Sequence, residues 1–158
     1  MPLLSGLRRE KNELVIVILR FAIGSVFLWF GIDKWLHPEL WYGWVPGWLW
    51  QYLPVSPEVF MYANGAFEFL VGILLVAGRL VWLAAAASGL FLLSIFVFLG
   101  SNEVTIRDMG LLGGCLALFV HANAAAKRPL SVPWIANITA LYVILLFVSG
   151  VMYLKNAG

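Results

Sequence analysis

Glu68 is a carboxylate inside the run Ala66-Phe67-Glu68-Phe69-Leu70-Val71, which is otherwise apolar. Arg20, between Leu19 and Phe21, and His121, between Val120 and Ala122, are set in comparable surroundings. Ionisable groups in such positions are costly unless paired, so they are the first candidates for chemistry. Helical rise puts Arg20 about 12 Å along its helix from Asn12, and Glu68 about 16 Å from Arg79. Arginine extends along its stem, which predicts an Arg20–Glu68 pair with His121 as a third candidate member. Asn64, one turn from Glu68 on the same helix face, is placed to hydrogen-bond to it. Glu68 would take up a proton, with Arg20 or Arg107 as its electrostatic partner, and Glu68 and Arg20 are the candidate catalytic pair.

A second group carries charge at the far ends of apolar runs: Asp33 and Lys34, then Arg107 and Asp108. Arg20, Phe27 and Lys34 recur every seven residues and so share one helix face, within about 20–40°. Asp108 opens its helix and suits the positive end of the helix dipole. Lys34, Asp33, Arg107, Asp108 and Asn64 are therefore candidate binding residues, joined by Trp44 and Trp48 from an aromatic segment between the two charged groups. Two readings stand side by side. The Arg20–Glu68 pair fixes helix register, or the polar groups line a pocket for a quinone or small anion, or relay protons.

Such groups need membrane-spanning elements to hold them. Of the 158 residues, 63% are hydrophobic and only 11% are charged, against about 25% charged in soluble domains. Mean hydropathy is +0.94. A span takes about 20 mostly apolar residues, and five stretches qualify: Leu14–Asp33, Val59–Gly78, Leu80–Leu99, Asp108–Ala126 and Trp134–Leu154. They predict an all-α polytopic transmembrane bundle, a four-helix core plus a fifth C-terminal helix, as one membrane domain over residues 1–158. The short link at Gly78-Arg79 makes the second and third spans an antiparallel hairpin. Pro129 and Pro133 stop the helices around the last link. Ala84–Ala87 with Ser88 and Gly89, and Gly110 with Gly113 and Gly114, are small-residue patches that let helices approach closely.

The one long connection, residues 34–58, holds Trp35, Trp41, Tyr42, Trp44, Trp48, Trp50 and Tyr52, broken by Pro38, Gly43, Pro46, Gly47 and Pro54. Amphipathic rings favour the headgroup layer, and the Pro and Gly residues forbid one long helix. One or two short helices lying on the membrane surface are expected. They would serve either as an aromatic belt or as a lid for an amphipathic ligand. Arg8, Arg9, Lys11, Arg79, Lys127 and Arg128 fall on one side, and Lys34, Arg107 and Lys155 on the other. The positive-inside rule then sets the N-terminus in the cytoplasm of an inner (cell) membrane protein, with the aromatic segment and the C-terminus outside. The first apolar run is too long for a signal h-region and lacks a small-residue cleavage site, so it reads as an uncleaved anchor.

Other chemistries are set aside. A net charge of +2 without a basic stripe gives no reason for nucleic-acid binding. Cys115 is the only cysteine, which excludes an internal disulfide and a thiol relay and leaves packing as its role. His37 and His121 fall on opposite sides of the membrane and cannot ligate one haem. No spacing for zinc or di-iron, no phosphate loop and no dinucleotide fingerprint occurs.

Three motifs in order point to a family. They are Leu19-Arg20-Phe21-Ala22-Ile23-Gly24-Ser25-Val26-Phe27-Leu28-Trp29-Phe30-Gly31-Ile32-Asp33-Lys34, then Ala66-Phe67-Glu68-Phe69-Leu70-Val71-Gly72-Ile73-Leu74-Leu75, then Arg107-Asp108-Met109-Gly110-Leu111-Leu112-Gly113. They resemble the first, second and fourth helices of DoxX-family membrane proteins, a likeness covering residues 14–126. The resemblance implies a small four-helix membrane protein in which Arg20, Lys34, Glu68, Arg107 and Asp108 match the family's polar positions. Some members are subunits of respiratory or sulfur-oxidising complexes, including thiosulfate:quinone oxidoreductase. Others are linked to oxidative or thiol stress alongside soluble redox partners. The fifth apolar stretch departs from the pattern.

The expected function is a redox-associated subunit that binds a quinone or small sulfur compound near the outer face; if it is an enzyme, it is an oxidoreductase subunit with a quinone acceptor. No covalently bound cofactor is expected, and quinone is the candidate cofactor. Electrons would come through a redox partner protein or second subunit. The rival reading is a non-catalytic scaffold in a partner complex or a homo-oligomer, with a small-solute or proton pathway as the third.

Overall fold

The computed structural model describes residues 2–126, with side chains from Asn12 onward. Among the described residues the chain is all-helical. α1 (Pro2–Leu36) runs into a 3-10 turn (Pro38–Trp44) and the single-turn α2 (Gly47–Trp50), followed by α3 (Pro57–Ala77), α4 (Val81–Leu99) and α5 (Glu103–Ala125). Four of these helices are long and apolar enough to cross a membrane: α1 from Asn12, then α3, α4 and α5. The fifth apolar stretch, Trp134–Leu154, and its flanking Pro129 and Pro133 lie outside the described residues. The aromatic segment forms two short helical pieces, as its Pro and Gly spacing requires.

Local chemistry sets the helix ends. Ser56 caps α3 through its hydroxyl, which accepts from Val59 N–H at 3.3 Å, and Pro57 occupies the first helical position. α3 stops at Gly78, whose left-handed φ of 70° lets Gly78 and Arg79 N–H return to the Leu74 and Leu75 carbonyls. Leu80 is also left-handed, with φ 48°, so the chain reverses within three residues and α4 packs back on α3. α5 begins at Glu103, five residues before the Asp108 start expected from hydropathy. The reason is a reciprocal cap: Asn102 Oδ1 accepts from Val104 and Thr105 N–H, and Thr105 Oγ1 accepts from Asn102 N–H at 2.9 Å.

The buried positions of α1 and α3 follow one rule. Gly24, Phe27, Gly31 and Lys34 on α1, and Met61, Gly65, Glu68, Gly72 and Leu75 on α3, are spaced by alternating threes and fours. That is the seam of a left-handed antiparallel pair. Its glycines bring the backbones together: a Cβ on Gly31 would stand 2.7 Å from the Gly65 carbonyl oxygen, and one on Gly72 2.9 Å from that of Gly24. α4 and α5 form the second close pair, where Ala84, Ala85 and Ser88 meet Cys115 and Leu118 in the core. Gly114 receives Ile23 and Leu19 of α1, but a Cβ on Gly110 would meet nothing. The expected patch on α5 is therefore only partly a packing surface.

Candidate functional site

Lys34 and Glu68 occupy seam positions on either side of the Gly31–Gly65 contact. Helical rise separates their levels by roughly 9 Å, and the two extended side chains cross that gap over the glycine surface. Lys34 Nζ donates to Glu68 Oε2 at 2.6 Å, with both side chains buried. Side chains in place of the glycines would hold the helices too far apart for this reach. Lys34 Nζ also sits 3.8 Å from the centroid of the Trp41 ring, a cation–π contact. Trp41 is fixed in turn, because its indole N–H donates to Asp33 Oδ2 at 2.9 Å. The 3-10 turn is thereby tied to the end of α1 through both neighbours, Asp33 and Lys34.

This cluster is part of the wall of a chamber of about 340 Å³ at the aromatic-segment end of the bundle, a size that suits a small ligand. Phe27 and Phe30 of α1, Phe60 and Met61 of α3, Phe91, Ile95 and Phe98 of α4, and Leu111 of α5 make it largely apolar. Trp41, Trp44, Val45, Pro46 and Leu49 contribute from the connecting segment. Lys34, Asn64, Glu68, Arg107 and Asp108 supply its charged and amide groups. The α2 region is held across the top: Trp48 packs on Phe98 of α4, and Trp50 edge-on against Phe60 of α3.

The expected Arg20–Glu68 pair is not formed. Arg20 lies about 21 Å along α1 from Lys34, where its Nε and Nη2 donate to the Leu75 and Val76 carbonyls at 2.9 Å each. α1 begins at Pro2, so Arg20 stands level with the last turn of α3 and not with its middle. It caps that helix end, with Gly78 leaving room for the guanidinium. His121 is about 20 Å further along α5 than Asp108 and does not line the chamber. Asn64 does line it, yet its amide donates to the Phe60 carbonyl at 3.0 Å and not to Glu68. Trp44 faces the chamber, whereas Trp48 is an outer clamp on Phe98 and Asp33 acts through Trp41. The seven-residue spacing of Arg20, Phe27 and Lys34 does describe one face, since all three turn toward α3 or the core. Trp41 was not among the expected site residues; aromatic composition alone does not separate it from its six neighbours.

The DoxX family model matches residues 15–101, more than half of the chain. No curated protein and no solved structure matches it. The match covers Lys34, Trp41, Asn64 and Glu68 and ends before α5, so Arg107 and Asp108 join the site through the fold alone. Four apolar spanning helices and this match make the chain an integral, multi-pass membrane protein of the DoxX family.

Proposed function

We propose that the chain is a redox-associated membrane subunit that binds a quinone, or a small sulfur compound of similar size, in the chamber beneath the aromatic segment. The observation that supports this most is the buried Lys34–Glu68 pair in the wall of an otherwise apolar, aromatic chamber. A volume of about 340 Å³ lined by phenylalanines is of the order that a single small ring needs, and Lys34, Arg107 and Asn64 offer cationic and amide donors in the wall. Lys34 and Glu68 can hold and exchange protons beside those oxygens. Arg20, at the opposite end, is assigned to the fold and not to this step. The chain's side chains include no electron carrier, so electrons pass between the bound quinone and a small thiol, a partner protein or a second subunit.

The basic residues of the opposite end, Arg8, Arg9, Lys11 and Arg79, favour an orientation with that end in the cytoplasm. The chamber then opens at the outer face, in a cell membrane. A scaffold role needs no chamber lined by charged groups, and this favours the binding reading over it.

The test is quinone binding and thiol- or thiosulfate-dependent quinone reduction by the purified protein in lipid nanodiscs. Glu68→Gln and Trp44→Ala are expected to lose binding, and any turnover with it. Trp48→Ala, outside the chamber, is expected to keep most of both. A folded wild type that binds neither quinone nor sulfur compound would move the assignment to the scaffold.

A further inference from the structure

Glu68 has one oxygen committed to Lys34, but a second carboxylate lines the chamber without such a partner. No hydrogen bond to Asp108 is formed among the described residues, and the Arg107 and Lys34 charges act on its carboxylate through space. Asp108 sits in the second turn of α5, held there by the Asn102–Thr105 cap, and it is part-buried. An acceptor-only group in an apolar wall is satisfied by a ligand that brings a donor. Other acceptors in the chamber wall include Glu68 Oε1, the Asn64 side-chain oxygen and the Ser94 hydroxyl. Lys34, by contrast, already spends its charge on Glu68 and the Trp41 ring.

Resting on the quinone reading above, we infer that Asp108 is the hydrogen-bond acceptor for a ligand hydroxyl, and that the chamber therefore prefers the reduced, dihydroxy form of the ring over the oxidised dione. In the bound state one ring O–H donates to the Asp108 carboxylate, while Arg107 donates to an oxygen at the chamber rim. Reduction of a bound dione by two thiols, which leave as their disulfide, places the two thiol protons on the ring oxygens, and one of the new O–H groups then donates to the Asp108 carboxylate. This assigns Asp108 a role distinct from that of Glu68, whose charge is matched internally.

The test is calorimetric titration, under anaerobic conditions in nanodiscs, with three short-tailed ligands: a hydroquinone, its quinone, and its dimethyl ether. A hydrogen bond to a charged group predicts that hydroquinone binds about ten- to hundredfold more tightly than the other two. Asp108→Leu removes both acceptor oxygens and is expected to abolish the preference by lowering hydroquinone affinity to that of the dimethyl ether. Asp108→Asn, which keeps shape and one acceptor oxygen, is expected to shrink it and serves if the leucine variant does not fold. Equal binding of the three ligands to wild type would overturn the inference and leave the quinone reading standing. A preference that persists undiminished in both variants would also overturn it. So would tighter binding of a lipophilic ammonium compound that depends on Asp108. Failure of every ring ligand to bind the folded wild type would remove the quinone reading as well.

Discussion

Removing one member of the Lys34–Glu68 pair leaves the other buried beside apolar side chains. Stranding one charge of a buried pair costs about 3–5 kcal/mol, so Lys34→Met and Glu68→Leu should each lower stability by about that amount. The ammonium left by Glu68→Leu keeps its Trp41 contact at 3.8 Å, worth about 0.5–2 kcal/mol. That makes the Glu68 variant the milder of the two. The double variant removes both charges and replaces them with chains of similar bulk, and it should recover most of the loss. Independent effects would instead sum to about 6–10 kcal/mol. Reversible unfolding in mixed detergent–SDS micelles, followed through helix content, gives the free energies for the cycle. The paired cycle Arg20→Gln with Glu68→Gln should be additive within about 0.5 kcal/mol, because the two residues sit at different levels of the bundle. Additivity in the Lys34 cycle together with coupling in the Arg20 cycle would refute the register derived from the α1–α3 seam.

Gly31→Ala places a methyl group 2.7 Å from the Gly65 carbonyl oxygen and from Phe69 N; both are backbone atoms that cannot step aside, so it should cost about 1–3 kcal/mol in the same unfolding assay. Gly110→Ala, whose methyl meets nothing, should be neutral or stabilising by about 0.4–1 kcal/mol. Arg20→Ala should cost about 1–3 kcal/mol by removing the donor of the Val76 carbonyl and leaving that of Leu75 with Gly78 N–H alone, and hydrogen exchange should quicken in the last turn of α3 but not near Glu68. Asn102→Ala should cost about 1 kcal/mol, with faster exchange confined to the first turn of α5. Trp41→Leu removes the indole bond to Asp33 and the ring over Lys34; limited proteolysis should then cut residues 45–56 sooner, while α4 and α5 stay protected.

The spanning helices were legible because about 20 apolar residues in a row leave few alternatives in a chain of this composition. The partner of Glu68 was not, and the reason is a matter of origin. Measuring Arg20 from the first polar residue, Asn12, assumes that α1 and α3 start level at the membrane surface. In fact α1 continues to Pro2 and crosses α3 in a register that puts Arg20 beside residues 75–78. The signal that could have set this register is the glycine spacing. Gly24 and Gly31 on one helix, and Gly65 and Gly72 on the other, each lie seven apart, and pairing them antiparallel leaves Lys34 and Glu68 facing across one contact. Hydropathy counts glycine as nearly neutral, so a scan for apolar runs passes over it. The start of α5 was missed because Ser101, Asn102, Glu103, Thr105 and Arg107 interrupt the apolar run, although Asn102 and Thr105 among them close a cap.

The same packing explains the chamber at the aromatic-segment end of the bundle. At the far end small residues fill the space between the helix pairs: Gly114 takes Ile23 and Leu19, and Ala84, Ala85 and Ser88 meet Cys115. Toward the aromatic segment the facing residues are large or charged, with Phe27, Phe30, Phe60, Phe91 and Phe98 beside Lys34, Glu68 and Asp108. Large side chains at one end and small ones at the other leave a wedge of space beside the aromatic rings. The opening is roofed by tryptophans that need a polar partner for each indole N–H, as Trp41 finds in Asp33. Filling the wedge should therefore close it without unfolding the protein. Ser94→Phe adds a ring to a half-buried, chamber-lining position on α4 and should leave the helix content unchanged, weaken binding of quinone-sized rings at least tenfold, and spare the Lys34–Glu68 coupling. If ring ligands bind this variant as tightly as wild type, they bind somewhere other than the wedge.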